Sequence, residues 1–128
     1  MHRITVFKVF VSDQDQARRF YVERLGFEVA EDERLGDYRW LLVRAPGDAG
    51  CAINLELAKT PEERALVGKQ GAGKPLFGVE TDDCRRDFAA LRSRGVKFDG
   101  DPAVMPYGTG ATLEDLYGNK IYLNEEPK

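Results

Sequence analysis

The sequence predicts an α+β protein in which a βαβββ arrangement occurs twice. Segments rich in β-branched and aromatic residues outnumber helical ones. Two amphipathic segments each begin near aspartates and end at a glycine, and a glycine-rich stretch separates them. The 128 residues suffice for one domain. We therefore predict a single domain over 1–128, made of a first module 1–58, a linker 59–74 and a second module 75–128.

The first module opens with a predicted strand over 3–11, followed by a helix whose free amides Ser12 can cap. Asp13 and Asp15 suit the positive end of the helix dipole. Apolar residues at helical spacing form the buried stripe of this helix, and Gly26 ends it. The stripe consists of Ala17, Phe20, Tyr21 and Leu25. Strands are predicted to begin at 27–30 and to cover 38–45 and 51–58.

The linker contains a helix start at 60–63 and then glycines typical of a flexible connection. In the second module we expect a strand over 76–80 and a helix that starts at Thr81–Asp83 and ends at Gly95. Further strands are predicted at 96–98, 110–116 and 120–124. The element order of the first module is thereby repeated.

The spacing of cap and stop residues supports the duplication. Gly26 follows Asp13 by thirteen residues, and Gly95 follows Asp82 by thirteen. Residues 55–57 also match 121–123 near the ends of the two modules. Two such modules side by side would bury their helices and leave a curved sheet with a cleft.

Composition excludes several classes of function. A net charge of −3 argues against nucleic acid or an anionic membrane surface as the partner. With one histidine and two cysteines, a Ser-His-Asp triad and a multi-histidine or cysteine-rich zinc site are nearly excluded. The N-terminus lacks the apolar run of a signal peptide, and no segment is apolar enough to span a membrane, so we expect a cytoplasmic protein.

One glycine-rich motif invites a different interpretation. Residues 68–74 satisfy the first part of a phosphate-binding loop, but Pro75 follows where serine or threonine would hold magnesium. A helix precedes this segment and a strand follows it, so no helix N-terminus receives the phosphate. We interpret it as part of the linker.

Several motifs together resemble those of the vicinal oxygen chelate superfamily. The first module has Val11-Ser12-Asp13, Phe20-Tyr21 and Leu25-Gly26-Phe27. The second has Pro106-Tyr107-Gly108 and a turn, 115–119, similar to the family's D-P-x-G-N, with Leu116 in place of proline. The family includes glyoxalases, extradiol dioxygenases, fosfomycin-resistance enzymes and bleomycin-binding proteins. The resemblance covers almost the whole chain and implies the fold more strongly than the function.

The resemblance also implies four positions for metal ligands, one on the first and one on the last strand of each module. They fall on Val6, on Leu76 or Pro75, on Glu56 and on Tyr122. Only Glu56 is a common ligand for a divalent ion. We therefore predict that the usual metal site is absent and that the protein needs no cofactor, with a divalent metal as the disfavoured alternative.

Other residues indicate a ligand-binding cleft. Glu56 would face the cleft as a general base or cation ligand, or else lie on a solvated face or pair with Lys8 or Arg39. Aromatic walls with a few polar groups suit a planar small molecule. The residues predicted to contact ligand are Lys8, Arg39, Trp40, Tyr107 and Tyr122, with Tyr38 as a further wall residue.

The favoured function is small-molecule binding in an aromatic cleft without the usual metal. The alternative is a glyoxalase-like lyase or dioxygenase-related enzyme with non-standard ligands, in which Glu56 is the catalytic residue. A third reading is an interaction module with a vestigial cleft. The resemblance further implies a homodimer.

Overall fold

A computed structural model describes residues 1–48 and 50–128 of the chain. The chain divides into two compact units, Met1–Gly68 and Lys69–Lys128. The boundary falls inside the predicted linker, so the short helix after the first module belongs to the first unit. None of the helices in the described residues is long and apolar enough to cross a membrane.

The first unit consists of one four-stranded sheet and two short helices. Its elements are β1 (Val6–Val11), α1 (Gln14–Arg19), a π-helical turn (Phe20–Arg24), β2 (Glu28–Leu35), β3 (Tyr38–Arg44), β4 (Ala52–Leu57) and α2 (Pro61–Leu66). The sheet order is β1-β4-β3-β2, and β1 pairs with β4 in parallel. The order predicted from the sequence is confirmed, although β1 begins three residues later than expected.

Helix α1 covers one face of this sheet. The Gln14 side-chain amide donates to the carbonyl oxygens of Leu55 at 2.8 Å and Arg39 at 3.2 Å, which ties the first turn of α1 to β4 and β3. Most apolar side chains on this face are fully buried and, with Tyr21 of the π-helical turn, form the core of the unit. They include Val9, Val11, Leu41, Val43 and Leu55.

The caps of the helices are local and polar. The prediction that Ser12 caps α1 is wrong, because Asp13 accepts the hydrogen bond from the Gln16 amide at 2.9 Å. Thr60 caps α2 by accepting from the Glu63 amide at 3.1 Å, as the sequence predicts. Gly26 adopts a φ of 79°, the left-handed conformation that favours glycine after a helix.

The second unit repeats this topology with one extra strand. Its elements are β5 (Pro75–Glu80), α3 (Cys84–Ser93), β6 (Lys97–Phe98), β7 (Ala103–Met105), β8 (Gly108–Glu114) and β9 (Lys120–Glu125). The sheet order is β5-β9-β8-β6, and β7 also pairs with β8. The short strands β6 and β7 together take the place of β2. The sequence-based prediction missed β7 and placed β8 two residues too late, at 110–116.

The two helices differ by one residue. Asp83 caps α3 by accepting from the Arg86 amide at 3.0 Å, so Asp83 and not Asp82 corresponds to Asp13. Gly95 then follows the cap by only twelve residues, compared with thirteen from Asp13 to Gly26. The first helix accommodates its additional residue in the π-helical turn. There each backbone amide bonds to the carbonyl five residues earlier, instead of four residues earlier as in an α-helix.

The sheet ladders also correct the predicted match between the last strands. Val6 begins β1 opposite Ala52, and Pro75 begins β5 opposite Lys120. Two residues further along, Asn54 in β4 therefore corresponds to Tyr122 in β9. The match of 55–57 with 121–123 is wrong by two residues, and Glu56 corresponds to Asn124.

Candidate functional site

The face of the first sheet opposite α1 carries most of the residues predicted to form a site. Side chains alternate along β3, so Tyr38 and Trp40 lie on the face opposite Arg39 and Leu41. We call this surface the Trp40 face. It comprises Lys8, Phe10, Glu31, Glu33, Tyr38, Trp40, Leu42, Asn54 and Glu56.

A hydrogen bond joins two neighbouring strands on this face. The Tyr38 hydroxyl donates to Glu56 Oε1 at 2.7 Å. This bond to a carboxylate raises the pKa of Tyr38 above its usual value, and desolvation raises it further, whereas the bond with the Asn54 side chain opposes the shift. Tyr38 is therefore a neutral donor that holds the Glu56 carboxylate in place.

Trp40 is anchored in a similar way. Its indole nitrogen donates to Glu31 Oε2 at 2.5 Å, across the ladder to β2. Two lysines lie against aromatic rings near this residue: Lys8 Nζ is 5.7 Å from the Phe10 centroid and Lys59 Nζ is 5.8 Å from the Tyr38 centroid. The half-buried indole is thus held by a carboxylate while part of its surface stays accessible.

Asn54 lies opposite Lys8 in the β1–β4 ladder and is only 4% exposed. Its Oδ1 has no hydrogen-bond partner among residues 1–48 and 50–128. A buried amide oxygen without a partner loses its hydration without compensation. Asn54 is not among the site residues predicted from the sequence, although its position two residues before Glu56 on β4 places both on one face.

Arg39 does not join this group. It lies on the helix-covered face with 9% exposure, and its guanidinium donates to Asp32 at 2.9 Å and to Asp15 at 2.7 Å. The guanidinium lowers the pKa of both carboxyl groups. The prediction that Arg39 contacts ligand is corrected accordingly: its side chain fastens α1 and β2 to β3.

The second unit carries a separate pair of tyrosines. Tyr122 on β9 is hydrogen-bonded to Tyr107, which is 57% exposed in the turn before β8. Burial, and then this bond, raises the pKa of Tyr122. The Tyr122 ring lies across Gly110, where an added Cβ would be 1.9 Å from the phenol oxygen. Glycine at 110 is therefore what lets the ring lie flat on β8.

Sequence comparison decides the family. A model of the Glyoxalase/Bleomycin resistance protein/Dioxygenase superfamily matches residues 3–123. The chain belongs to this superfamily. An uncharacterized protein of Shewanella frigidimarina is 40% identical over 111 residues, which are 85% of this chain and 82% of that protein.

Two solved structures share the fold of this chain. UcmS2 superposes with a TM-score of 0.88 at 31% identity, covering 98% of this chain and 99% of that one. TnmS3, an antibiotic binding protein from Streptomyces sp. CB03234, gives a TM-score of 0.82 at 34% identity, covering 99% and 98%. The superfamily resemblance inferred from the sequence motifs is confirmed.

The donor set at the superfamily's metal positions does not fit a divalent ion. Val6 and Leu76 or Pro75 offer no ligand atom, and the ladder places Asn54, a weak neutral donor, where Tyr122 stands in the other unit. Within the described part of the chain, no group of three His, Cys, Asp or Glu residues comes together as metal ligands. No chemical step can be derived through a metal from these residues.

The structure therefore sorts the predicted site residues into three sets. Lys8, Trp40 and Glu56 share the Trp40 face, together with Tyr38. Tyr107 and Tyr122 form their own pair on the second unit, and Arg39 lies in a structural ion pair. The glutamate that holds Trp40 and the buried Asn54 are functional candidates that residue-type reasoning missed.

Proposed function

We propose that this superfamily member binds a small planar molecule on the Trp40 face without a metal. The observation that carries the proposal is the half-buried Trp40, held by Glu31 beside the Tyr38–Glu56 bond. Stacking on an indole favours flat ligands, and fixed polar groups around it orient them. A relative 34% identical to this chain is described as antibiotic binding, which supports an antibiotic-like ligand.

The principal experiment is a thermal-shift screen over planar antibiotics and small thiol adducts. A ligand should raise the melting temperature of the wild type, and Trp40→Ala should weaken its binding roughly 30-fold, about 2 kcal/mol, because the stacking surface is lost. Leu66→Ala, another exposed apolar truncation, is the matched control and should bind as the wild type does. Stabilisation by no compound would favour an interaction module instead.

Metal content tests the metal-independent part of the proposal. Protein purified without chelator should contain far less than one equivalent of divalent metal per chain, and EDTA should leave ligand binding unchanged. One tightly held ion per chain would contradict the proposal. It would support the superfamily's usual chemistry with non-standard ligands.

The alternative lyase activity can be tested at the same carboxylate. Glu56 Oε1 accepts the bond from Tyr38, so only the other carboxylate oxygen could take a proton from a substrate. We expect no turnover of thiol adducts of 2-oxoaldehydes by the wild type. Turnover that falls at least 100-fold in Glu56→Gln, with binding retained, would establish the enzyme and Glu56 as its catalytic residue.

Two further features remain proposals. Tyr107 and Tyr122 are proposed as ligand contacts on the second unit, where the exposed phenol of Tyr107 can donate to a ligand oxygen. A cytoplasmic homodimer is proposed by resemblance to single-domain members of the superfamily. Light scattering after gel filtration should then give a molecular mass of about twice the 14.4 kDa of the chain.

A further inference from the structure

We infer that the ligand of the Trp40 face is a flat aromatic molecule that carries a hydrogen-bond-donating, positively charged nitrogen. The inference rests on the proposed function and adds the chemical class of the ligand. It follows from an imbalance between the hydrogen-bond donors and acceptors of this face.

The neutral donors of the face are already engaged with protein. The Tyr38 hydroxyl donates to Glu56 at 2.7 Å, and the Trp40 indole N–H donates to Glu31 at 2.5 Å. Each of these groups has a single proton to give, so each is exhausted by one bond. The Asn54 side chain is hydrogen-bonded to Tyr38. A ligand that needs donors from tyrosine or tryptophan would have to break these bonds.

The acceptors, by contrast, have capacity left. Asn54 Oδ1 is buried with no partner in the described part of the chain. A carboxylate can accept about four hydrogen bonds, and Glu56 and Glu31 each use one in the bonds described above. A charged donor on the ligand would gain from the carboxylates, and rotation of the Asn54 side chain would let its buried oxygen accept from the same donor.

The charges of the Trp40 face also favour a positively charged ligand. Glu31, Glu33 and Glu56 lie on the face, and Glu33 stands opposite Trp40 in the ladder. Among the neighbouring cations, Lys8 and Lys59 lie against the rings of Phe10 and Tyr38. Arg44, which lines a cavity with Glu31, pairs with Glu28 at 3.5 Å. A cationic ring stacked on Trp40 would meet carboxylates and an indole face, both of which attract positive charge.

Three acridines of nearly equal size and flatness test the inference: 9-aminoacridine, which is a cation with N–H donors, acridine, and acridine-9-carboxylate. Trp40 is the chain's one tryptophan, so quenching of its fluorescence reports binding at this face directly. Isothermal titration supplies the affinities. We expect 9-aminoacridine to bind at least 10-fold more tightly than the carboxylate, with acridine between them.

Two variants locate the source of the preference. Glu56→Gln should reduce the preference for 9-aminoacridine to 3-fold or less, whereas Glu62→Gln, an exposed carboxylate on α2, should keep it. Asn54→Leu should also weaken 9-aminoacridine selectively. Its urea midpoint should change little, because the loss of the hydrogen bond to Tyr38 is offset by the removal of an unpaired buried oxygen. If Asn54→Leu fails to fold, the comparison of Glu56→Gln with Glu62→Gln still tests the inference.

The failures of this inference and of the proposed function are distinguishable. If acridine-9-carboxylate quenches Trp40 with an affinity equal to or higher than that of 9-aminoacridine, the inference is wrong and binding of planar molecules stands. An equal loss of preference in Glu56→Gln and Glu62→Gln would assign the effect to net charge and overturn the inference. If no acridine quenches Trp40, binding of planar molecules at this face is itself contradicted.

Discussion

The two sheets share one topology but present opposite kinds of surface. In each unit the first strand pairs in parallel with the last, and the last pairs with the strand before it. On the first sheet, the face opposite the helix carries Trp40, Tyr38 and Glu56. On the second, positions 78, 108 and 110 are glycines without side chains, and the ring of Tyr122 covers the buried Gly110. The repeated topology specifies the hydrogen-bond ladder, and the residues that alternate away from the helix specify which side chains each sheet presents.

The sharpest test of this contrast is Gly108→Ala at the start of β8. Gly108 has a φ of 136°, and an added Cβ would lie 2.1 Å from the carbonyl oxygen of Glu125. Because the clash is with backbone, no side chain can move away to relieve it. We expect a loss of about 3 kcal/mol or more in the free energy of unfolding, measured by urea denaturation.

Gly36→Ala provides the matched control in the first unit. Gly36 also has a positive φ, 64°, but an added Cβ there meets no atom within 4 Å among the described residues. The cost should be about 1 kcal/mol, from the left-handed backbone alone. Equal losses for the two variants would mean that close approach to β9 does not require glycine at 108.

Each unit also contains an arginine bonded to two aspartates, and burial separates the two cases. Arg39 is 9% exposed between Asp32 and Asp15, whereas Arg86, between Asp82 and Asp87, is 57% exposed. Arg39→Met should destabilise the protein by about 3 kcal/mol, because it leaves the largely buried Asp32 without its main partner. Arg86→Met should cause little measurable change, since exposed pairs are screened by water. Comparable urea midpoints for the two variants would contradict this assignment.

The same ion pair gives a pH dependence of defined sign. Arg39 holds the pKa values of Asp32 and Asp15 below their usual 3.8, so the unfolded chain binds more protons than the folded one at acidic pH. The stability difference between the wild type and Arg39→Met should be complete above about pH 4. It should shrink as the pH falls through the lowered pKa values. Acid titration of the urea midpoint measures it, and a difference that grows below pH 4 would exclude the ion pair as its cause.

The smallest expected effect concerns the π-helical turn. Because the first helix contains one residue more than the second between cap and glycine, deletion of the exposed Glu23 should restore regular α-helical hydrogen bonding. We expect a loss below about 1 kcal/mol and unchanged far-UV circular dichroism. Deletion of Ala89 from α3 is the control and should cost far more, since it rotates the buried Leu91 out of the core. Equal losses would show that the extra residue is needed.

Much of the fold could be predicted because its signals are local. Caps near Asp13 and Thr60, glycines at 26 and 95, and alternation in the strands all act within a few residues. The incorrect predictions concern the cap of α1 and strand β7, where pairing with distant strands determines the structure. Ser12 and Asp13 are both residue types that cap helices well. Strand β1 stays paired with β4 as far as Val11, and the helix then begins after Asp13. Strand β7 has only three residues, too few for a periodicity to be visible.

The candidate site was less predictable, because adjacent residues on a strand point to opposite faces of the sheet. Trp40 and Arg39 are neighbours in sequence, yet one faces outward and the other lies beneath α1. Alternation separates them only once the buried face is known. The Tyr38–Glu56 bond and the unpaired oxygen of Asn54 depend on the register of β3 against β4, which residue types do not encode.

The parallel pairing of first and last strands has a consequence for how the chain assembles. Strand β1 is synthesised first, yet its partner β4 begins at Ala52, opposite Val6, while β2, β3 and β4 can pair with neighbours as each appears. Closing a loop of that length is slower than forming hairpins. The N-terminal strand should therefore join its sheet last, and until then its core side chains Val9 and Val11 remain open to chaperones.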